Sequence, residues 1–344
     1  MDKYEGACAV ISDVHLNDTS LEKVLKNISS KGIIRIVCLG DILGYGHEIS
    51  TIIQKFSTGW KARDGNVYPY ETIEGNHERH LLELYNRDIT PETLINRCGL
   101  NPEAVSTLLE VSKLLEQKTP ASQKKLEFLR RLPKRVQIVK GVYGIHAFDN
   151  IATGFPMYTM PIKLGESYGI GLDLLHDPRD AFKDPSMFSK GIKVYIIGHN
   201  HLQLGCGIKH DGTYEVLLPP GTKQILDRPK KKPKLDKELE DFFAADEAEE
   251  DESEENETYM ELAANNTEMD LKNYGKAIIN PGSLSRSRIE DFEIFNAIHS
   301  ADPRRRKLLQ EIRARGNWLS SAFYGILRKD MVFEFKSLLY ERRL

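Results

Sequence analysis

The sequence predicts a mixed α/β fold. Three observations carry this: short β-rich apolar runs recur along the chain, helical patterns separate the early ones, and a strong turn signal folds one later run back on itself. Strands joined by helical crossovers give such an alternation and favour parallel pairing. The chain has 344 residues and 40% hydrophobic content, enough for a sizeable core, and 48 Lys and Arg against 51 Asp and Glu leave a formal charge of -3. No global field therefore recruits nucleic acid or a membrane, and any such preference must be local.

The first run, residues 7–13, is apolar until Asp13, which interrupts it well short of a signal-peptide core or a membrane span. A cytoplasmic location is expected. Runs at 33–41 and 67–75 follow. Residues 92–132 then read as a helical insert with apolar side chains at Val105, Leu108, Leu109, Leu115, Leu126 and Leu129. Pro91 and Pro133 bracket it, and Pro102 marks a helix start. Strand-like runs resume at 135–147 and 193–199, and a hairpin over 202–218 turns at His210-Asp-Gly-Thr213.

The composition then changes. Arg228-Pro-Lys-Lys-Lys-Pro-Lys234 is basic, and nine of the twelve residues 246–257 are acidic. Such a segment buries too little apolar surface to offset its ordering entropy, so residues 223–273 are expected to be a disordered insertion. Residues 277–280 look like a strand again, and from 289 onward the pattern reads as mostly helical. The expected organisation is a core over 1–222 with its helical insert at about 91–133, the charged insertion at 223–273, the end of the core at 274–290, and a helical extension at 291–344. Cys8, Cys38, Cys98 and Cys206 lie too far apart for paired metal ligation and read as buried free thiols of a reducing compartment.

The ends of the runs share a chemistry. Asp13-Val-His15 and His199-Asn-His201 each place two potential ligands one residue apart, which an extended chain points to one side. Gly40-Asp41, Gly75-Asn-His77 and His146 close three further runs. Any one of these could be a satisfied polar residue at a strand end. Five agreeing ends make that reading poor, because ligands of open α/β sheets gather outside the carboxyl ends of strands. Imidazole, carboxylate and carboxamide without thiolate suit Mn, Fe or Zn. Seven ligands are too many for one tetrahedral ion and suit two divalent ions sharing a bridge, a pairing that hydrolyses phosphoesters.

Asp13-Val-His15, Gly40-Asp41, Gly75-Asn-His-Glu78, His146 and Gly198-His-Asn-His201, in this order, resemble the calcineurin-like metallophosphoesterase superfamily. Asn280-Pro-Gly-Ser283 resembles a loop of its phosphodiesterase-like members, and the likeness runs from residue 1 to about 288, excluding the acidic insertion and the C-terminal tail. The resemblance implies a four-layer α/β/β/α sandwich with two mixed sheets. It implies one ion on Asp13, His15, Asp41 and His201 and a second on Asp41, Asn76, His146 and His199, with Asp41 as bridge. His77 would protonate the leaving oxygen, a bridging hydroxide would attack, and Mn is the favoured metal.

The departures from the superfamily pattern bear on substrate. Its Ser/Thr protein phosphatases carry Asp and Arg where this chain has Gly44 and Tyr45, so the chain resembles instead the bacterial and archaeal Gly-Tyr-Gly branch, with phosphodiesterase and phosphomonoesterase members. Ala147 stands where Gly is usual. Tyr45 is read as a substrate contact or a packing residue, and Arg286 and Arg288 as holders of a second phosphate or as solvated charge. His47, His80 and His176 read as solvated or capping, with His80 a further candidate for the pocket lining. The cluster Arg304-Arg-Arg-Lys307 with Arg313 and Arg315 reads as a solvated helix face or as a nucleic-acid contact, which the acidic insertion could cover. The expected function is therefore hydrolysis of a phosphodiester or phosphomonoester. A metal-dependent nuclease is the first alternative, and a non-catalytic scaffold of the same fold the second.

Overall fold

The computed structural model describes residues 3–45, 49–96, 98, 100–147, 182, 188, 191–199, 201, 203–217, 259–261, 267–284 and 318–342. Two mixed sheets organise these residues. In the first, β1 (Cys8–Ile11), β2 (Arg35–Cys38) and β5 (Tyr70–Thr72) are parallel neighbours, and β14 (Trp318–Leu327) pairs antiparallel with β1. β15 (Val332–Arg342) pairs with β14, and β11 (Tyr259–Glu261) and β12 (Thr267–Asp270) both pair with β15. The second sheet runs β10 (Tyr214–Leu217), β9 (Gln203–Lys209), β13 (Tyr274–Pro281), β8 (Val194–Ile197), β7 (Val142–Ile145), β6 (Arg135–Val139). In it, β13, β8 and β7 are parallel.

The alternation of side chains across a strand sets the layers. Cys8 and Val10 face the second sheet, where Val194, Ile196, Ala277 and Ile279 meet them, whereas Ala9 and Ile11 face the helices. The helical layer holds α1 (Asp18–Ser30), α2 (Ile49–Thr58), α3 (Asn76–Asn86), α4 (Pro91–Asn96), α5 (Pro102–Glu116) and α6 (Pro120–Arg130). Tyr195, Ile197, Cys206 and Ile278 point the other way, against Phe182 and Phe188. Helix, sheet and sheet are thus in place, and the expected fourth layer otherwise lies outside the described residues. Each fully buried aliphatic contributes about 1.5–3 kcal/mol relative to exposure, so the inter-sheet layer is what fixes strand register.

The helical insert is three helices, each with proline in its first turn at Pro91, Pro102 and Pro120, and Asn101 and Thr119 cap the last two. The hairpin expected over 202–218 forms between β9 and β10. All four cysteines are free and buried. Among the described residues no helix is long and apolar enough to cross a membrane.

Four expectations need correction. Residues 318–342 are not helical: they form the long β14–β15 hairpin inside the first sheet. Met331 takes the left-handed turn position, φ 66°, where glycine or asparagine would have signalled a turn. The reading of 223–273 as one disordered insertion extends too far, because Thr267–Asp270 pairs with β15 and buries Met269 between the sheets. The run at 67–75 is two strands, since Pro69 has no N–H for a ladder; β4 (Val67–Tyr68) pairs only with β3 (Trp60–Lys61). The run at 135–147 is likewise a hairpin of β6 and β7, turning at Gly141 with φ 81°.

Candidate metal centre

Strands β1, β2, β5, β7 and β8 point their carboxyl ends to one place. The turns after them carry Asp13 and His15, then Asp41, then Asn76 and His77, then His146, and then His199 and His201. Five of the nine non-glycine residues with positive φ among the described residues are in this set: Asp13, His15, Asp41, His199 and His201. Each such residue costs on the order of 1–3 kcal/mol and persists only where its surroundings hold it.

The potential ligand atoms fall into three groups, two of which share Asp41. Asp13, His15 and His201 bring one donor atom each within 4.8 Å of one another, as do His15, Asp41 and His77, and Asp41, His146 and His199. Asn76 joins the last group, its Oδ1 lying 2.9 Å from His146 Nε2 and 2.8 Å from His199 Nδ1.

The tautomers follow from the backbone. His15 Nδ1 lies 2.7 Å from the Leu43 carbonyl, which can only accept, so Nδ1 carries the proton and Nε2 keeps a lone pair. That Nε2 is 3.1 Å from His201 Nε2. His146 Nδ1 donates to the Leu39 carbonyl at 2.7 Å, leaving Nε2 against the acceptors Asn76 Oδ1 and Asp41 Oδ2, the latter at 3.2 Å. Asn76 Oδ1 and Asp41 Oδ2 accept, so a His146 Nε2 held against them is satisfied by a proton or by a metal cation between them. This donor set, nitrogen and oxygen with no thiolate, fits borderline divalent ions.

The electrostatics agree with that reading. Burial and the neighbouring imidazoles hold His15 down to about 3, and burial with His146 holds His199 down to about 3, so both rings are neutral at neutral pH and ready to ligate. Burial alone would raise Asp13, but the His201 and His146 imidazoles outweigh it and keep it at about 2. His146 shows the opposite balance: burial would lower it, and the Asp41 carboxylate lifts it to about 9. A proton on Nε2 there takes the position a metal cation would fill.

Glycines and a glutamate make this approach possible. A Cβ on Gly44 would strike His15 Nδ1, and one on Gly75 would strike the Asp41 carboxylate. Gly44 is therefore glycine because the His15 ring fills the space its side chain would need. Glu78, fully buried, takes N–H bonds from Asp41 at 2.8 Å, Gly75 at 2.9 Å and Leu43 at 3.0 Å. Burial and the Asp41 carboxylate push it up to about 8, while the Leu43 and Gly75 N–H groups pull the other way. Its carboxyl group ties the turn bearing Asp41 to the first turn of α3, which bears Asn76 and His77.

The sequence reading left Glu78 without a role, although it stands inside Gly75-Asn-His-Glu78. It also missed what Asn280 and Ser283 do. Asn280 Nδ2 donates to the Gly198 carbonyl at 2.8 Å and Ser283 Oγ to the Asp13 carbonyl at 2.9 Å, stapling the end of β13 to two ligand turns. The motif Asn280-Pro-Gly-Ser283 was the signal.

Of the other candidates, His77 is buried, its Nε2 3.9 Å from Asp41 Oδ2, and its Nδ1 has no hydrogen-bond partner among the described residues. Tyr45 stands half-buried beside it, its ring edge-on to His15 with centroids 4.9 Å apart. His80 is buried with Nδ1 2.9 Å from Glu83, so it is not solvated. His47, His176, Arg286, Arg288 and the basic residues from Arg304 to Arg315 lie outside the described residues.

Comparison with known proteins gives three kinds of likeness. The sequence model of the calcineurin-like phosphoesterases matches residues 8–211. An uncharacterised protein of Methanocaldococcus jannaschii is 30% identical over 146 residues, 41% of this chain and 56% of that protein, so the match spans about half of the relative's length. Among solved structures, a metallophosphoesterase from Sphaerobacter thermophilus is 17% identical, with a TM-score of 0.45 over 98% of this chain and 88% of that one. A cold-active protein-tyrosine phosphatase of a psychrophilic Shewanella is 14% identical, with a TM-score of 0.29 over 60% and 70%.

Proposed function

The chain belongs to the calcineurin-like phosphoesterase family, and from that premise we propose that it is a dinuclear metal-dependent phosphoester hydrolase. The observation that carries this is Asp41, shared between the His15 and His77 group and the His146 and His199 group. Asp13, His15, Asp41 and His201 would hold one ion, and Asp41, Asn76, His146 and His199 the other. Mn is favoured over Fe and Zn. When bound, two divalent ions supply an activated water and positive charge for the phosphate oxygens.

The chain's own residues do the rest. Leu43 and Leu39 fix the protons of His15 and His146 on Nδ1 and so aim each Nε2 inward. Glu78 holds the Asp41 turn against α3. The His77 backbone N–H donates to Asp41 Oδ1 at 2.9 Å, which leaves the His77 imidazole beside the ligands to deliver a proton to the leaving oxygen. Tyr45 walls the same flank. The substrate is a phosphomonoester or phosphodiester, and no observation among the described residues favours a nuclease.

The test is metal analysis of the purified protein with hydrolysis of p-nitrophenyl phosphate and its bis-aryl diester under Mn, alongside His77→Gln. We expect about two ions per chain. His77→Gln keeps both ions and loses turnover by roughly a hundredfold or more. A fully active protein after complete metal removal overturns the reading.

A further inference from the structure

One side of the metal centre opens into a small cleft lined by Glu74, Gly75, Asn76, Arg79, Lys134, His146 and Ala147. Asn76 and His146 belong to the second ligand group. Asp13, His15, His77 and His201 are not among its walls, so it leads away from the flank where His77 and Tyr45 stand.

Two cations reach this cleft from different elements. Arg79 is three residues beyond Asn76 on α3, hence on the same helix face. Lys134 follows the end of the helical insert, and the Glu74 N–H donates to the Pro133 carbonyl at 2.9 Å, fixing that segment beside the turn into α3. Arg79 and Lys134 thus bring two cations to a wall that also carries Glu74, with Glu83 one helix turn along from Arg79.

Size narrows the occupant. The cleft measures about 50 Å³, room for roughly four water-sized groups at 10–15 Å³ each. One phosphate is of that size, and an aryl ring or a nucleoside is not.

We propose that this cleft is a subsite for a second, non-scissile phosphate, and that the preferred substrates are diphosphates. The inference rests on the phosphoesterase reading above. With the terminal phosphate at the metals, water adds to its phosphorus and the P–O–P bridge breaks. Inorganic phosphate and a monoester leave, with no co-reactant but water. Arg79 and Lys134 bind the bridge-distal phosphate, Arg79 as a planar fork and Lys134 as a point charge.

The test compares adenosine 5′-diphosphate with adenosine 5′-monophosphate at fixed free Mn, using p-nitrophenyl phosphate as the reference substrate. In the wild type, kcat/KM for the diphosphate exceeds that for the monophosphate by about tenfold or more. Arg79→Ala and Lys134→Ala each lower that ratio by about tenfold, through KM rather than kcat. Arg79→Lys retains part of it, and Lys113→Ala, an exposed site on α5, leaves it unchanged. A wild type that hydrolyses p-nitrophenyl phosphate but treats the two nucleotides alike, or variants with an unchanged ratio, overturns this inference and leaves the phosphoesterase reading standing. Hydrolysis of none of the three while the bis-aryl diester is cleaved overturns this inference alone, and hydrolysis of none of the four under Mn overturns both.

Discussion

Two buried clusters of charge, one on β15 of the first sheet and one where strands of both sheets end, are built on opposite plans. On β15, Glu334 and Lys336 are 1% and 3% exposed and 2.8 Å apart. Lys3 at 2.8 Å, Arg328 at 2.9 Å and the Tyr4 hydroxyl at 3.2 Å also donate to Glu334. Every acceptor there faces a donor. At the carboxyl ends of the strands the plan is reversed: His15 Nε2 faces His201 Nε2, and His146 Nε2 faces Asn76 Oδ1 and Asp41 Oδ2. A cluster that satisfies itself needs nothing from solution, whereas one whose acceptors converge is complete only with a cation. Burial and charge alone do not separate the two, but the direction of the hydrogen bonds does.

That contrast can be broken most severely at Asp41. Asp41→Asn removes the carboxylate common to two of the candidate ligand groups, and we expect loss of metal and a fall in turnover of roughly a thousandfold, with thermal stability of the metal-free protein little changed. Elemental analysis and steady-state kinetics check this, and retained metal with full activity would refute the shared-ligand assignment.

The converse change is Glu334→Gln, which strips the counterion from a buried Lys336. It should cost about 3–5 kcal/mol of stability while the folded fraction keeps its metal and its turnover per molecule. Replacing the pair with Leu and Met should restore stability. The same cluster has a pH signature. Burial alone would raise Glu334, but Lys3, Lys336 and Arg328 reverse that and hold it at about 2, below the ordinary 4.5. Its stabilisation is therefore complete above pH 4.5 and lost as pH falls towards 2. Denaturant titrations across that window should show the loss in the wild type and a flatter profile in Glu334→Leu with Lys336→Met.

The smallest expected effect sharpens the metal side. Gly44→Ala places a methyl against His15 Nδ1 at a position whose φ is 140°. We expect metal affinity to fall about 10–100-fold, as for other losses of a ligand's supporting hydrogen bond, with the fold intact. Calorimetric Mn titration of the metal-free protein measures it, and unchanged affinity would show that the Leu43–His15 bond does not orient the ring.

The clustering of the candidate site was legible because its signals are local: each candidate residue follows a strand end, and five short motifs repeat that arrangement. The supports were less so. Glu78 and Asn280 act on backbone groups that are distant in sequence, which no pattern in the residues states. The C-terminal hairpin was misread because β15 buries both faces, Phe333 and Phe335 on one side and Glu334, Lys336 and Leu338 on the other. Polar residues that are paired inside look, in sequence, like a solvated helix face. Thr267–Asp270 was lost in the acidic composition of its neighbours, although its pairing with β15 and the burial of Met269 secure it between the sheets.

The pairing of β1 with β14 also sets an order in time. Asp13 and His15 are made early, yet one edge of the strand that carries them stays open until residues 318–327 have been synthesised. The same late strand receives the staple, its Phe323 N–H donating to the Ser283 carbonyl at 3.0 Å. A ribosome must therefore pass residue 327 before both edges of β1 are paired and the staple at Ser283 is braced, so the turn bearing Asp13 and His15 gains its full support only after these later strands exist.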